Sequence, residues 1–174
     1  RTPLIISGAA HDDAPKYRQA DAVARKLIEL NRPYDAAQRE VDAAKRAIKA
    51  AEGDADKAKT REEKDAARLR REKADKDLEA AEAKKRGITQ YYEVELDRKS
   101  VQMTHEGIAA AQEAAGVGSF YVGNNMEWPH LMEQALRAHV AYERDKDYVV
   151  ERGQRGTMEV VIVDEFTGRK MVGR

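Results

Sequence analysis

The chain has 174 residues, room for one ordinary domain, and 37% of them are charged, well above the rough quarter typical of globular proteins. Lys and Arg total 32 and Asp and Glu total 32, so the net charge is zero, which disfavours a nucleic-acid-coating role that would need a basic excess. The absence of cysteine excludes disulfides, thiolate metal sites and a cysteine nucleophile, and no run of about 18 apolar residues exists to cross a membrane as a helix.

In chain order, Thr2-Pro3-Leu4-Ile5-Ile6-Ser7-Gly8 reads as a short apolar strand closed by glycine. The chain opens on Arg1 and closes on Gly173-Arg174 after a strand-like run, so both ends are expected to be cuts in a longer protein, with no secretory leader in this piece. Val23, Leu27, Ile28 and Leu30 give one face of a helix expected to begin near Lys16. Residues 35–86 are low-complexity: 30 of the 52 are charged, 16 basic and 14 acidic, and 15 are alanine, so the segment is nearly neutral and rich in strong helix formers. Its signs are interleaved so that many i,i+4 pairs form, and Val41, Ala44, Ile48 and Ala51 make one thin apolar stripe. Gly53-Asp54 suits the end of one helix and the cap of the next. The expectation is an antiparallel helical hairpin. Its incoming arm bends at Pro33, with Asn31 as cap, and runs to Glu52; its return arm runs from about Asp56 to Lys85. A disordered charged tether is the alternative, and alanine with balanced charge favours the helix.

Beyond residue 87 the pattern changes. Tyr91-Tyr92-Glu93-Val94-Glu95-Leu96 alternates at period two, Asp97-Arg98-Lys99-Ser100 turns, and Val101-Gln102-Met103-Thr104 returns as a hairpin. Thr104 is a plausible N-cap for a helix over about 105–115, closed by Gly116-Val117-Gly118. Asn124-Asn125 precedes a helix over about 127–143 with Trp128, Leu131, Met132, Ala135, Leu136, His139 and Val140 on one side. Tyr148-Val149-Val150, a glycine turn from Gly153 to Gly156, and Met158–Val163 make a second hairpin; its last strand, apolar on both faces, is expected to be buried or clamped.

Signals for chemistry are weak. Val163-Asp164-Glu165 has the form of an acidic pair after an apolar strand, yet no Gly-x-x-x-x-Gly-Lys-Ser/Thr loop is present to hold a nucleotide, and a strand end before the turn Thr167-Gly168-Arg169 is the plainer reading. His11-Asp12-Asp13 lacks the further convergent ligands a metal needs. His130 and His139 lie nine apart and point to different sides of a helix. The basic runs Lys84-Lys85-Arg86 and Arg68–Lys73 are diluted by acidic neighbours, so no nucleic-acid partner is expected.

Longer blocks carry more. Arg1-Thr2-Pro3-Leu4-Ile5-Ile6-Ser7-Gly8 resembles the segment that leaves the first nucleotide-binding fold of the SecA protein-translocation motors. Ala135-Leu136-Arg137-Ala138-His139, Arg144-Asp145-x-Asp147-Tyr148-Val149-Val150 and Val161-Ile162-Val163-Asp164-Glu165-x-Thr167-Gly168-Arg169-x-Met171-x-Gly173-Arg174 resemble the segment that returns to it. Tyr92–Gly107 also fits, and the resemblance covers roughly 1–30 and 88–174. It implies the preprotein cross-linking domain of that family, inserted in the motor fold through two connecting stem strands. The charged segment 35–86 has no counterpart in the compact family pattern and reads as an insertion. Ala9-Ala10, Phe166, Glu127 and Pro129 depart from the family pattern, the last two in a stretch that contributes to its signal-peptide groove.

The expected fold is therefore α+β: a stem strand over 1–8, a globular part from 9–34 and 87–157, a projecting helical hairpin over 35–86, and a return stem strand over 158–174. The resemblance implies a clamp that binds unfolded preprotein and signal peptide, with Ile5, Ile6, Met126, Trp128 and Tyr148 as peptide-binding residues and Thr2, Leu4, Val161, Ile162 and Val163 in the stem. Recognition of varied, unfolded chains would rest on backbone pairing at an open sheet edge. The implied partners are the other domains of the motor and the SecYEG channel at the inner face of a bacterial plasma membrane. The implied ATP and Mg²⁺ belong to the parent motor; no cofactor, metal or catalytic residue is expected in this piece. Two other readings compete: a coiled-coil scaffold whose arm binds a protein partner, and an enzyme using Asp164 and Glu165.

Overall fold

The structure, a computed structural model, describes residues 14–172, so the expected first stem strand lies outside the described residues. Among the described residues four α-helices, α1 (Ala14–Lys57), α2 (Arg61–Arg86), α3 (His105–Ala115) and α4 (Trp128–Val140), accompany two small antiparallel sheets. One sheet pairs β1 (Tyr92–Glu95) with β2 (Ser100–Met103); the other orders β3 (Tyr148–Arg152), β4 (Met158–Val163) and β5 (Lys170–Met171). The chain is α+β. It divides into two compact units, Ile28–Tyr91 and the combination of Arg1–Leu27 with Tyr92–Arg174.

The unit Ile28–Tyr91 is a helical hairpin. As one partner climbs α1 through Glu40, Glu52 and Asp54, its ion-pair mate descends α2 through Lys84, Arg71 and Arg70, which is antiparallel pairing in register. These pairs are half exposed and contribute little energy each; they set alignment. The packed seam is almost all alanine: Ala67, Ala74 and Ala81, seven apart on α2, are buried, as are Ala37, Val41, Ala44 and Ala51 on α1. That 3–4 spacing is a coiled-coil seam with small side chains, so the helices meet with little apolar mass between them.

Three expectations for this unit change. The first helix does not end at Glu52 but runs through Gly53 to Lys57, because Thr60 starts α2 with a capping box. Thr60 Oγ1 accepts from Glu63 N at 3.1 Å, and the Glu63 carboxylate accepts from the backbone of Lys59 and Thr60. That reciprocal cap outweighs the cost, about 1 kcal/mol, of a glycine inside a helix. Pro33 sits inside a continuous α1, one backbone bond poorer. Asn31 is not a cap. It is 1% exposed, its Nδ2 donates to Asp35 at 3.0 Å, and its Oδ1 accepts from Tyr91 N at 2.8 Å, tying the end of the hairpin to its beginning. Burial is the main reason that Asp35 holds its proton to higher pH than an ordinary aspartate.

In the other unit, both expected hairpins form, with Tyr92 opposite Met103 and Tyr148 opposite Ile162. Thr104 caps α3 by accepting from Gly107 N at 3.1 Å, and Gly116 ends it at φ +69°, a conformation glycine adopts without strain. The buried stripe of α4 is Trp128, Met132 and Leu136, spaced by four. It shares a core with Val23, Ala24 and Leu27 of α1, Val101 and Met103 of β2, and Phe120, whose ring stacks on Trp128 with centroids 5.3 Å apart. Each such large side chain contributes roughly 1.5–3 kcal/mol of apolar burial. Asn125, ahead of α4, folds back onto the loop, its Nδ2 donating to Val117 O and Ser119 O.

The expectation that β4 is buried on both faces is overturned. Val161 is buried at 5% exposure, but Met158, Val160 and Ile162 on the opposite face are open, Val160 at 60%. Alternation sends 158, 160 and 162 to one side of the strand, and among the described residues the core lies on the other. Laterally, β4 is the middle strand: β3 pairs with all of Met158–Ile162, whereas β5 reaches only Ile162 and Val163. Among the described residues, the first four residues of β4 have no strand on the β5 side.

Candidate functional site

The open face of β4 lies at the bottom of a groove of about 490 Å³. Val160 and Ile162 form its floor with Tyr148, which is cross-strand partner to Ile162. Ala138 and His139 of α4, Tyr142 beyond its end, Asp147 and Asp21 of α1 complete the lining. Because α4 commits Met132 and Leu136 to the core, Ala138 and His139 fall on its exposed side. At the rim, His139 Nε2 meets Asp21 Oδ1, while the other Asp21 oxygen pairs with Arg25 Nε at 2.9 Å.

The groove wall is braced from behind. Arg137 Nε donates to the Lys99 carbonyl at 2.7 Å and Arg137 Nη2 donates to the Tyr142 hydroxyl at 2.6 Å. Lys99, at φ +50° in the β1–β2 turn, sends its Nζ to Asp147 Oδ2 at 3.3 Å, with both side chains mostly buried. Asp147 also accepts from Glu143 N at 2.8 Å and, through its carbonyl, from Val163 N at 2.9 Å. The Glu143 amide bond, and after it Lys99, holds the Asp147 carboxyl below the usual aspartate range.

Of the residues singled out in the sequence, the structure brings Tyr148 and Ile162 together in this groove. Val161 and Val163 are in the same strand but face the other way. Met126 is 68% exposed and Trp128 is 8% exposed, its ring against Phe120; neither lines the groove. Thr2, Leu4, Ile5, Ile6 and the His11-Asp12-Asp13 run lie outside the described residues. Asp164 Oδ1 accepts from Phe166 N at 2.8 Å and Thr167 N at 3.0 Å, so this carboxylate organises the turn into β5 as the plainer reading has it. Sequence reasoning missed Val160, Tyr142, Arg137 and Lys99. Period two from Ile162 points to Val160; nothing local announces that Lys99 takes a positive φ or that Arg137 reaches it.

An α+β domain with a helical hairpin and an open, largely apolar groove is a binding module. Residues 12–174 match the SecA preprotein cross-linking domain, and the chain belongs to that family. The matched span runs through the charged segment 35–86. The chain is 36% identical over its whole length to "Protein translocase subunit SecA 1" of Rhodopirellula baltica and 32% identical over its whole length to "Protein translocase subunit SecA" of Solibacter usitatus. It is 51% identical over 85 residues, 49% of its length, to the SecA subunit of Myxococcus xanthus. It spans only 9%, 13% and 8% of the length of these curated relatives.

Proposed function

We propose that this domain is the preprotein-binding clamp of a SecA translocase, holding unfolded secretory polypeptide or signal peptide while the parent motor, using ATP and Mg²⁺, drives export through the SecYEG channel at the inner face of the plasma membrane. The observation that carries the reading is the apolar face of β4 beside Tyr148, uncovered among the described residues, next to a strand edge that β5 only partly fills among them. Exposed apolar surface of this kind marks a binding site, and an unfilled edge offers N–H and C=O groups to any extended chain regardless of its side chains. That suits a client whose sequence varies. In this reading Tyr148 and Ile162 touch the passing chain, Thr2, Leu4, Val161, Ile162 and Val163 belong to the stem, and Ile5, Ile6 and Met126 serve the apolar core of a signal peptide, with Trp128 packed in the core against Phe120.

The alanine-seamed hairpin favours a second reading, a scaffold whose arm binds a protein partner. Photo-crosslinkers at Thr2, Tyr148 and Ile162, and a matched set along residues 35–86, placed in the whole translocase during export, separate the two. Crosslinks to preprotein at the first three positions support the clamp. Crosslinks to preprotein confined to the arm would sink it in favour of the scaffold.

A further inference from the structure

The groove has walls that do not stand by themselves. Tyr142 follows the end of α4 and Asp147 precedes β3, in a stretch that also holds Asp145 at φ +67°. Neither Tyr142 nor Asp147 is among the buried core residues of this unit. Besides the Glu143 amide, from which Asp147 accepts, what ties these side chains down is a pair of residues that do not line the groove. Arg137 reaches forward to the Tyr142 hydroxyl at 2.6 Å and sideways to the Lys99 carbonyl at 2.7 Å. Lys99 in turn reaches Asp147 at 3.3 Å. The chain Tyr142–Arg137–Lys99–Asp147 thus starts and ends on the groove lining and runs behind it through the β1–β2 turn.

We propose that Arg137 and Lys99 act as a clasp that sets the positions of Tyr142 and Asp147 in the groove wall, which makes Arg137 a positioning residue for polypeptide binding; this rests on the groove reading above. Arginine suits the task because its planar fork presents two donors in fixed directions, here spent on two different acceptors. A lysine at 137 keeps the charge but cannot hold both bonds in that geometry. The left-handed backbone of Lys99 costs energy in a non-glycine residue and is held by bonds at both ends of that residue, its carbonyl to Arg137 and its ammonium to Asp147. A groove wall held this way is already in place when an extended chain arrives, so less ordering is left to be done on binding.

The test measures anisotropy of a fluorescein-labelled, unstructured peptide, a short leucine- and valine-rich run flanked by Ser and Gly, titrated with the 174-residue chain and its variants. Tyr142→Phe keeps the ring in the groove and removes only the oxygen that Arg137 reaches. Arg137→Lys keeps the charge. Each is expected to weaken binding about tenfold, equivalent to about 1.4 kcal/mol. The double variant is expected to be no weaker than either single, because both break one linkage. Val160→Asp, on the groove floor, reports on the groove itself. If Val160→Asp abolishes binding while Tyr142→Phe and Arg137→Lys bind as the parent does, the clasp is refuted and the groove stands. Additive losses in the double variant also refute the clasp. If Val160→Asp binds normally, the groove and the clasp fall together.

Discussion

Replacing Asn31 by Ala tests the idea that one buried amide joins the two ends of the helical hairpin. Asn31 is 1% exposed and makes two bonds, donating to Asp35 at 3.0 Å and accepting from Tyr91 N at 2.8 Å. The substitution removes both and leaves the Tyr91 amide without its side-chain acceptor. Two such bonds, one of them to a carboxyl group, together contribute about 3 kcal/mol once exchange with water is counted. Alanine returns about 0.6 kcal/mol as the better helix former. The net expectation is a loss of about 2 kcal/mol, the size of effect typical of a broken buried polar link. Urea unfolding should show the midpoint falling at unchanged slope, and hydrogen exchange should show the Tyr91 amide losing protection before the middle of α2 does. A loss below about 0.5 kcal/mol with Tyr91 exchange unchanged would refute the reasoning, since surface substitutions alone reach that size.

Thr60→Ala removes the oxygen that caps α2 and should cost about 1 kcal/mol, read by urea unfolding followed by circular dichroism; no change would mean that the Glu63 half of the capping box is sufficient. Asp147 has a folded-state carboxyl held below its ordinary value of 3.8, so its contribution to stability is complete above that pH and is lost as pH falls through the lower folded value; Asp147→Asn, which retains an acceptor for Glu143 N, should flatten that acid limb of the stability curve. Replacing residues 36–85 with a short Gly/Ser linker should leave a cooperative thermal transition, because those residues belong to a separate compact unit with an alanine seam; loss of cooperative melting would show the arm to be part of the core. Isothermal calorimetry of the chain with ATP and Mg²⁺ should give no affinity tighter than about millimolar, since the chain has no phosphate-binding loop and Asp164 is engaged in a turn.

The helices and hairpins were legible because each rests on local signals that agree. Thr104 three residues before Gly107, the period-two run at 92–95, the apolar run at 158–163, and the stripe Val41, Ala44, Ile48 and Ala51 each act over one or two turns of chain. The turn of the hairpin was misplaced because two local signals compete there. Gly53-Asp54 is the commoner stop, but Thr60-Arg61-Glu62-Glu63 is a full capping box, and the box prevails because it satisfies several backbone donors at once. Asn31 was misjudged for a different reason. Its partner Tyr91 is 60 residues away, so no window of sequence distinguishes a cap from a tie. The same distance hides the groove: Tyr148 and Ile162 come from one hairpin and could be paired from the pattern, but Asp21 meets His139 across 118 positions and Arg137 meets Lys99 across 38.

The two units handle apolar surface in opposite ways, and that difference bears on which one meets a client chain. In the hairpin Ile28–Tyr91 the small apolar side chains of the seam are spent on its own partner helix, and the outward faces are charged with both signs, a surface that keeps helices soluble and separate. In the other unit the sheet β3–β4–β5 spends Val161 on the core and leaves Met158, Val160 and Ile162 in the open, an arrangement that carries an aggregation hazard unless something is meant to bind there. Natural sheets blunt such strands with charge, and β4 carries only Glu159, which faces away from this stripe and toward Gly153. A sequence that tolerates that hazard on a six-residue strand, while charging most outward positions of a 26-residue helix, is suited to keep the apolar strand for contact. On this physical ground the clamp proposed above would take an unfolded polypeptide on the sheet rather than on the arm.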